Sequence, residues 1–469
     1  MTSLTFYGGV NEIGGNKFLI EDRDTKIFLD FGMSFSQVGK YYAEFLQPRT
    51  CNGLGDLMEL GIIPDIKGIY RNDLLANEGR PLTEKPIVDA VFLSHAHADH
   101  SWHVSLLHPD IPIFCGATAK LILQASQETS KGTYYTDFFF YRENFVNRFR
   151  KPKEERKYKT FRTGDKIKIK DVEVEPIHVD HSIPGAYGFL VHTSEGCIAY
   201  SGDLRFHGRR RSMTRHFIEA CKTNKPIAML LEGTNIDDRI GSLSERQVYN
   251  KIQKFVSSTK KLCVVNFPLR DVDRLNTFFK AAKRSGRRMV VNMKQAYLID
   301  LLNKEDKRLK MRSLDEFDVF INRTSWGRYE EKDYYNWQRP FLKRDNAVKA
   351  EEVSKKQNNF LVFIDFFTLK ELLDIRPSLG SSFIYSMTEP FNEEMEIDFG
   401  RMMNWLEKFK MNMRQAHASG HANGKQLKKI AEFVKPDKLF PIHTDKPEMF
   451  KKIIKEKIIL PELGKSYKF

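Results

Sequence analysis

The sequence has few cysteines, and their arrangement argues against two common structural frameworks. Five cysteines are scattered over 469 residues, and no two of them form a Cys-x-x-Cys pair. A disulfide-stapled secreted domain or a cysteine-based zinc knuckle needs a denser and more regular pattern. We therefore expect reduced, mostly buried thiols in a cytoplasmic protein.

The chain also lacks long hydrophobic runs. The longest, "FLVFIDFFTL", is interrupted by Asp365 and is shorter than the ~20 apolar residues that a membrane-spanning helix needs. The start, "MTSLTFYGGV", has no charged segment before an apolar one, so neither a secretory signal nor a membrane partner is expected. Repeats and Gly/Ser- or Pro-rich linkers are absent too. An apolar content of 41% and an aromatic content of 12% predict a folded protein with two domains or one large interrupted domain.

Positive charge is in excess. Lysine and arginine total 76 against 61 acidic residues, which gives a net charge of +15, and the pI is near 9.3. Such a balance favours polyanionic partners through counterion release. The mixed charges of the basic block Arg148–Lys159 favour a solvated surface. A second block, Arg205–His216, begins just after a candidate ligand, and we expect it to contact substrate through Arg209, Arg210 and Arg211.

Three of the 13 histidines fall within one short stretch, "SHAHADH". A single histidine is ordinarily a surface or hydrogen-bonded residue, but this stretch also contains an aspartate and follows the apolar run "AVFL". His95 and His97 can turn toward one ion, and Asp99 and His100 toward a second about 3.5–4 Å away, the usual spacing of paired catalytic metals. Imidazole with carboxylate suits zinc or manganese. The pattern predicts a metal site.

Ligand-type residues recur where apolar strands end. Because α/β sheets place their sites at strand ends, the repetition indicates one shared site. The residues in such positions are Asp30, His95, His181, Asp203, Glu232 and His443.

The order of these motifs resembles a known superfamily. "FLDFG", "SHAHADH", "DHSIPGAYG" and "YSGDLR" resemble the four motifs of the metallo-β-lactamase fold, and "LLEGTN", "SGHA" and "PIHTD" resemble those of its β-CASP nuclease branch. The opening "GGVNEIGGNKFLIE" and the element "HSIP" narrow the resemblance to ribonuclease J. It implies an α/β fold: a metallo-β-lactamase αββα sandwich (1–235 and a return segment, 401–469) with an inserted α/β β-CASP domain (236–400).

The resemblance also implies a ligand set for two divalent ions, zinc first and manganese second. One ion would take His95, His97 and His181, the other would take Asp99, His100 and His443, and Asp203 would bridge them. Asp30 would orient ligands through hydrogen bonds. His181 is preferred to His178 because it carries the "HSIP" context.

The implied reaction is in-line attack on phosphorus by a hydroxide that Asp99 orients. His421 would contact the scissile phosphate and protonate the leaving oxygen, with Glu232 supporting it. The remaining implied phosphate and RNA contacts are Ser386, Ser419 and Gly420. Read without the resemblance, "ASGHANG" is simply the capped first turn of a helix.

Two segments depart from the family. "YSMTEP" keeps only Ser386, Glu389 and Pro390 of the usual Gly-Ser-Gln-Gly-Glu-Pro, and His443 is followed by Thr444 and Asp445 instead of Gly-Glu. Both lie near the expected phosphate pocket, so the choice between exonuclease and endonuclease stays open. The long insert at 32–75 either covers the site or forms an interface.

The predicted function is a two-metal phosphodiesterase acting on single-stranded RNA, a ribonuclease J-like 5′–3′ exoribonuclease, endoribonuclease or both, with a 5′-monophosphate end as the suspected substrate feature and a homodimer left open. One alternative is a DNA-processing β-CASP nuclease, against which His443 argues because that group lacks the last histidine ligand. Small-molecule metallohydrolases and inactive scaffolds are further alternatives. The net charge and the Arg209–Arg211 run count against the first of these, and the complete ligand set counts against the second.

Overall fold

The computed structural model describes residues 1–43, 45–49, 54–132, 134–143, 153–238, 241–390 and 393–469. Their contacts separate two units. The first unit comprises Met1–Phe206, Arg210–Gly241 and Gly420–Phe469, and the second comprises His207–Arg209 and Ser242–Ser419. The second unit begins near the predicted start of the inserted domain and includes residues beyond its predicted end at 400.

Short strands and helices alternate through the first part of the first unit. Its strands are β1 (Thr2–Gly8), β2 (Lys17–Asp22), β3 (Thr25–Leu29), β4 (Ala90–Leu93), β5 (Ile113–Gly116), β6 (Phe140–Tyr141), β7 (Glu154–Glu155), β8 (Tyr158–Phe161), β9 (Ile167–Ile169), β10 (Val172–His178), β11 (Tyr187–His192), β12 (Cys197–Tyr200) and β13 (Ala228–Glu232). Its helices are α1 (Phe35–Tyr41), α2 (Gly55–Glu59), α3 (Asn72–Ala76), α4 (Ala98–Ser101), α5 (Ala117–Glu128) and α6 (Arg211–Asn224).

The second unit follows the same alternation. Its strands are β14 (Cys263–Asn266), β15 (Arg288–Asn292), β16 (Asp318–Phe320), β17 (Ala347–Val348), β18 (Phe360–Phe363), β19 (Ser382–Tyr385) and β20 (Asn412–Gln415). Its helices are α7 (Glu245–Ser257), α8 (Val272–Arg284), α9 (Met293–Glu305), α10 (Arg339–Leu342), α11 (Ala350–Lys355), α12 (Leu372–Ile375) and α13 (Glu393–Lys408).

The chain then returns to the first unit through α14 (Gly424–Val434), β21 (Leu439–Ile442), α15 (Glu448–Ile453) and β22 (Ser466–Lys468). Short 3₁₀ helices connect elements in both units. They are Trp102–Leu106, Tyr134–Thr136, Lys307–Leu309, Leu314–Glu316, Glu331–Asp333, Gln357–Asn359 and Phe366–Glu371.

The first unit is a sandwich of two sheets. Their strand orders are β22-β1-β2-β3-β4-β5-β8 and β21-β13-β12-β11-β10-β9. A buried cluster with side chains from both sheets lies between them, where the rings of Phe92 and Phe189 have centroids 6.0 Å apart. Phe217 of α6 and Leu427 of α14 pack on the outer side of the second sheet, and α5 packs beside β5 and β8. The predicted αββα arrangement is confirmed.

The second unit is built on one parallel sheet with the order β17-β16-β15-β18-β14-β19-β20. Two apolar clusters share its strands. Val265 and Phe278 belong to one, and Val264 and Leu372 to the other. Because neighbouring residues of a strand point to opposite faces, both faces of this sheet are buried under helices, as parallel sheets require.

Local sequence signals explain several elements. The segment "DVDRLNTFFKAAKRSG" has the apolar spacing of an amphipathic helix and forms α8, which Asp271 caps by accepting from the Arg274 backbone amide. It ends just before Gly286, whose φ of +67° suits glycine. In β10 the buried Val172 and Val174 alternate with half-buried glutamates, as the period-two pattern predicts.

Other expectations concern the cysteines, the insert and the first basic block. Cys115, Cys197, Cys221 and Cys263 are free and buried, while Cys51 lies outside the described residues. Much of the Arg148–Lys159 block also lies outside them. In the described part of the insert, α1 buries none of its residues. Among the described residues, no helix combines the length and apolar character that a membrane span needs.

Candidate metal centre

The candidate ligands follow the carboxyl ends of buried strands in the first unit. β4 leads into His95 and His97, after which α4 carries Asp99 and His100. β12 leads to Asp203, and β21 ends directly before His443. Two residues here adopt left-handed backbone conformations that cost energy for non-glycine residues, with φ of +57° at Asp30 and +52° at His443. Such strain at the ends of two strands that lead into the candidate site is typical of a functional site.

One cluster joins His95, His97, His181 and Asp203, whose ligand atoms all lie within 4.8 Å of one another. His97 Nδ1 lies 3.0 Å from His95 Nε2 and 3.1 Å from His181 Nε2. Asp203 Oδ2 lies 3.7 Å from His95 Nε2 and 3.6 Å from His181 Nε2. Three ring nitrogens and one carboxylate oxygen thus converge on a single point.

A hydrogen bond determines which ring nitrogen of His181 carries the proton and which one presents a lone pair to the first cluster. Its Nδ1 lies 2.7 Å from the carbonyl oxygen of Gly420, which can only accept, so Nδ1 carries the proton. Burial lowers the pKa of His181 well below its usual value, so the ring is neutral and its Nε2 lone pair points toward the cluster. Burial lowers the pKa of His95 in the same way. Neutral imidazoles with inward lone pairs are what a divalent metal requires.

A second cluster joins Asp99, His100, Asp203 and His443. His100 Nε2 lies 3.2 Å from Asp203 Oδ2, and His443 Nε2 lies 3.0 Å from Asp99 Oδ2. Although burial lowers the pKa of His100, the carboxylates of Asp203, Asp99 and Asp30 raise it well above its usual value. The surrounding negative charge therefore favours a cation at this point.

Asp30 positions His100 from the other side. His100 Nδ1 donates to Asp30 Oδ2 over 2.7 Å, and Ser94 donates to the same carboxylate through its backbone amide (2.6 Å) and its hydroxyl (2.7 Å). The Tyr200 hydroxyl donates to it as well. This buried carboxylate is thus fully hydrogen-bonded, and it holds His100 with Nε2 facing the cluster.

Asp203 belongs to both clusters, and its environment tests the fit to a metal. Its side chain is 2% exposed, and Oδ1 has no hydrogen-bond partner among the described residues. A buried carboxylate oxygen without a donor is costly unless a cation neutralises it. Together with the neutral imidazoles of His95 and His181, this shows that the residues fit a divalent metal ion.

His421 lies at the edge of the second cluster, with Glu232 beside it. His421 Nδ1 is 3.3 Å from Glu232 Oε2 and 3.9 Å from Asp203 Oδ2. Burial lowers the pKa of His421, but the charges of Glu232 and Asp203 outweigh burial and raise it to about 9. Its side chain remains 19% exposed, so it can meet a substrate. Glu232, His421 and His443 could also hold a metal among themselves.

Three polar neighbours had no assigned role in the sequence prediction. The Thr234 hydroxyl lies 2.8 Å from His443 Nδ1 and 3.1 Å from His421 Nδ1, so it links the two histidines. Asn16 Nδ2 lies 3.1 Å from His100 Nε2, and Ser94 holds Asp30. The only feature of the sequence that could have indicated these three residues is that each lies within or beside one of the quoted motifs.

Glycines allow the chain to approach Asp99 closely. A Cβ at Gly32 would lie 1.7 Å from the Asp99 carbonyl oxygen, and one at Gly14 would lie 2.7 Å from Asp99 Cβ. Gly14 also has a φ of +88°. Glycine is therefore required by packing in "DFG" and "EIGG", because a side chain at Gly32 or Gly14 would clash with the segment that carries Asp99.

The predicted phosphate and RNA contacts are divided between the units. Gly420 and His421 lie in the first unit, and Gly420 holds His181 through its carbonyl. Ser386 lies in the second unit, where it is buried and its hydroxyl binds the carbonyl of Ala416 and the Arg274 guanidinium. Ser419, also in the second unit, donates its backbone amide to the Ser242 hydroxyl over 2.7 Å.

The residues of the predicted basic run belong to both units. Arg209, in the second unit, is exposed and donates to the Thr277 hydroxyl over 2.6 Å. Arg210 and Arg211 lie in the first unit, where Arg210 donates its backbone amide to Asp180 and Arg211 begins α6. His178, the residue passed over as a ligand, ends β10 and hydrogen-bonds the Thr163 hydroxyl.

Comparisons with known proteins agree with this site. Residues 64–223 match the family model of the beta-lactamase superfamily domain, and residues 407–459 match that of the Zn-dependent metallo-hydrolase RNA specificity domain. The two segments are thus similar to metallo-hydrolase domains of the metallo-β-lactamase type, and the His/Asp clusters fit a divalent metal ion.

Along most of its length the chain is similar to proteins named ribonuclease J. It is 24% identical to Ribonuclease J of Mycoplasma genitalium over 95% of this chain and 68% of the relative. It is 22% identical to Ribonuclease J 2 of Streptococcus pyogenes over 97% of this chain and 72% of the relative. A protein of unknown function from Enterococcus faecalis V583 shares the fold, with a TM-score of 0.75, 23% identity and 99% coverage of both chains.

Proposed function

We propose that this protein is a metal-dependent ribonuclease of the ribonuclease J type, which hydrolyses phosphodiester bonds in RNA. The observation that carries the proposal is the convergence of two histidine-rich clusters on the Asp203 carboxylate, which is buried and has one oxygen without a donor among the described residues. The match to an RNA specificity domain, the relatives named ribonuclease J and the net charge of +15 support RNA as the substrate.

Two divalent ions are proposed, zinc as the first expectation and manganese as the second. The first would be held by His95, His97 and His181, the second by Asp99, His100 and His443, and both by Asp203. When bound, paired ions lower the pKa of water between them and offset charge on the phosphoryl oxygens. Imidazole and carboxylate ligands without thiolate are compatible with either metal.

The side chains around the clusters have separate tasks in this proposal. Asp99 Oδ2 lies 3.0 Å from His443 Nε2, and the Asp99 carboxylate orients the attacking water by accepting a hydrogen bond from it. His421 transfers a proton to the leaving oxygen. Glu232 orients the His421 ring by accepting a hydrogen bond from its Nδ1. The charges of Glu232 and Asp203 also stabilise the protonated imidazole. Asp30 keeps His100 facing the metal.

Several finer features belong to the same proposal. Ser386, Ser419 and Gly420 each contact phosphate of the RNA, Ser419 and Gly420 at a 5′-monophosphate end, and Arg209, Arg210 and Arg211 contact the RNA backbone. The catalytic domain comprises 1–235 and 401–469, with a β-CASP domain at 236–400 inserted in it. The protein acts in the cytoplasm, by exonucleolytic or endonucleolytic cleavage or both, as a monomer or a homodimer.

The test is incubation of the purified protein with end-labelled RNA bearing a 5′-monophosphate, the same RNA with a 5′-hydroxyl, and the equivalent DNA. We expect RNA cleavage that a chelator abolishes, with stepwise loss from the 5′-monophosphate end or internal cuts that identify the mode. Ser419→Ala should erode a preference for the 5′-monophosphate end. Cleavage of DNA alone, or of neither polymer, would overturn the proposal.

A further inference from the structure

The second unit contains a cavity that the metal centre does not use. Its volume is about 580 Å³, within the usual ~300–1,000 Å³ range for small-ligand pockets. It lies at the carboxyl ends of the parallel sheet, since Asn266 ends β14, Asn292 ends β15 and Tyr385 ends β19. Open parallel sheets place ligands at this edge, where successive connections leave to opposite sides.

The strand order shows such a divergence at the cavity. From β14 the chain passes to β15, which lies on one side of it beyond β18, whereas β19 and β20 lie on the other side. Asp365, directly after β18, also lines the cavity. The crevice is therefore a product of the sheet topology and lies within one unit.

Aromatic side chains form much of the cavity wall. Phe267, Trp337, Phe366 and Phe367 all line it. Phe367 is 84% exposed, which is costly for a phenylalanine, and its ring lies 5.6 Å from that of Phe366. Exposed aromatic rings beside a crevice provide flat surfaces on which a planar ring can stack.

Three amide side chains in the same wall are held in fixed orientations. Asn292 Oδ1 accepts from the Gln295 backbone amide over 2.8 Å, which leaves its NH₂ as a donor. Gln338 Oε1 accepts from the Tyr335 backbone amide over 3.0 Å, which leaves a second NH₂. Asn266 Nδ2 donates to the Ile364 carbonyl over 3.0 Å, which leaves its Oδ1 as an acceptor. The wall thus offers oriented donors and an acceptor between aromatic rings.

We propose that this cavity binds a nucleobase. Stacking surfaces combined with amide donors and acceptors match a planar heterocycle with polar edges. Lys294, which is exposed and lines the same cavity, provides a positive charge for an attached phosphate. The base belongs either to a free nucleoside 5′-monophosphate or to RNA. The RNA source rests on the proposed function, whereas the free nucleotide does not.

The experiment uses the full chain treated with a chelator, so that RNA is not cleaved. Calorimetry measures the Kd for AMP, GMP, CMP, UMP and ribose 5-phosphate, which lacks a base. At least one nucleotide should bind at least about 10-fold more tightly than ribose 5-phosphate, as stacking of one base predicts. Equal Kd values for the nucleotides and the sugar phosphate would overturn the proposal.

Two variants locate the binding. Phe367→Ala removes an exposed ring, and Asn292→Ser removes the amide while keeping a residue that caps α9. Each should weaken nucleotide binding by about 5- to 100-fold, the effect of losing one base contact. Leu379→Ala, which is 65% exposed and does not line the cavity, is the matched control. Unchanged Kd values in both cavity variants would place the nucleotide elsewhere and contradict the proposal.

A competition experiment distinguishes a free nucleotide from RNA as the source of the bound base. If a short RNA displaces the nucleotide from the wild type, the base comes from RNA, and if it does not, the ligand is a free nucleotide. Either result supports a nucleobase site. If the protein cleaves RNA but binds no nucleotide, the nucleobase site is refuted and the proposed function stands. If it binds a nucleotide but does not cleave RNA, the proposed function is refuted and the nucleobase site stands.

Discussion

His421 is the residue whose role can be separated from metal binding. Its Nδ1 faces Glu232 at 3.3 Å and lies farther, 3.9 Å, from Asp203. Four histidines of the two clusters instead place a ring nitrogen 3.2–3.7 Å from Asp203 Oδ2, namely His95, His100, His181 and His443. A proton donor at this edge acts on the transition state and contributes little to the affinity for metal.

We therefore predict that His421→Ala retains its metals and its RNA affinity but loses about 10²–10⁴ in cleavage rate, the usual contribution of a general acid. Elemental analysis, RNA binding and single-turnover cleavage measure the three properties. His97→Ala is the control that should lose metal as well as rate. Loss of metal from His421→Ala would assign it to the ligand set instead.

Lys17 gives a second prediction for a single residue. It is 1% exposed, and its ammonium donates to the Gly15 carbonyl over 3.2 Å. Burial, opposed in part by the charge of Glu12, lowers the pKa of Lys17 to about 8, below the ordinary 10.5. Between these two pKa values the unfolded chain binds the proton and the folded chain does not, so the stability of the fold rises with pH across this window. Below pH 8 the ammonium is protonated in both states, and the full free-energy cost of burying its charge is present.

Lys17→Met should remove this cost, which amounts to about 3 kcal/mol for the pKa difference. The variant should accordingly be more stable than the wild type near pH 7, and the difference should shrink toward pH 10.5. Urea denaturation at several pH values measures it. Lys26→Met, at a side chain that is 39% exposed on the neighbouring β3, is the control, and a pH-independent difference for Lys17→Met would refute the burial argument.

At the scale of elements, α14 connects folding stability to the site. Asn423 caps this helix through a reciprocal pair of hydrogen bonds with Gln426, and it follows His421 by two residues. Ser244 and Gln247 make the same capping box at the start of α7 in the second unit. The chain therefore offers two equivalent caps, of which one adjoins the candidate site.

Asn423→Ala and Ser244→Ala should each lower the free energy of unfolding by about 1 kcal/mol, the usual value of a cap. Only Asn423→Ala should also lower the cleavage rate, since a frayed α14 loosens the backbone that holds His421. Denaturant unfolding and cleavage assays on both variants measure this. Equal rates in the two variants would mean that the cap does not position the site.

The sequence was informative where chemistry is local. The spacing of His95, His97, Asp99 and His100 predicted a metal site without any structure, and the strand pattern with the resemblance predicted the sandwich. The hydrogen bonds of Thr234 to His421 and His443 span about two hundred residues and leave no periodic signal. The left-handed backbone at His443 was equally hidden, because its cause is tertiary packing.

For the whole molecule, the net charge of +15 predicts salt-dependent RNA binding. The logarithm of the affinity should fall linearly with the logarithm of salt concentration, by about 0.7 for each phosphate contact with a single strand. Charge reversal at Arg209, Arg210 and Arg211 should flatten this slope.

Charge reversal at Lys304, Lys307 and Lys310, three exposed lysines in and just after the last turn of α9, is the matched control and should change the slope less. Filter binding or fluorescence anisotropy at several salt concentrations gives the slope. Binding independent of ionic strength would refute the polyanion interpretation.

We infer that cleavage of RNA by this protein depends on a pair of metal ions held around Asp203. The most direct test is to strip the protein with a chelator and titrate zinc or manganese back while following cleavage of a labelled RNA. We expect no cleavage without metal and a rate that reaches its plateau at about two metal ions per chain, with no recovery in Asp203→Asn. Cleavage that persists without metal, or that returns in Asp203→Asn as in the wild type, would contradict it.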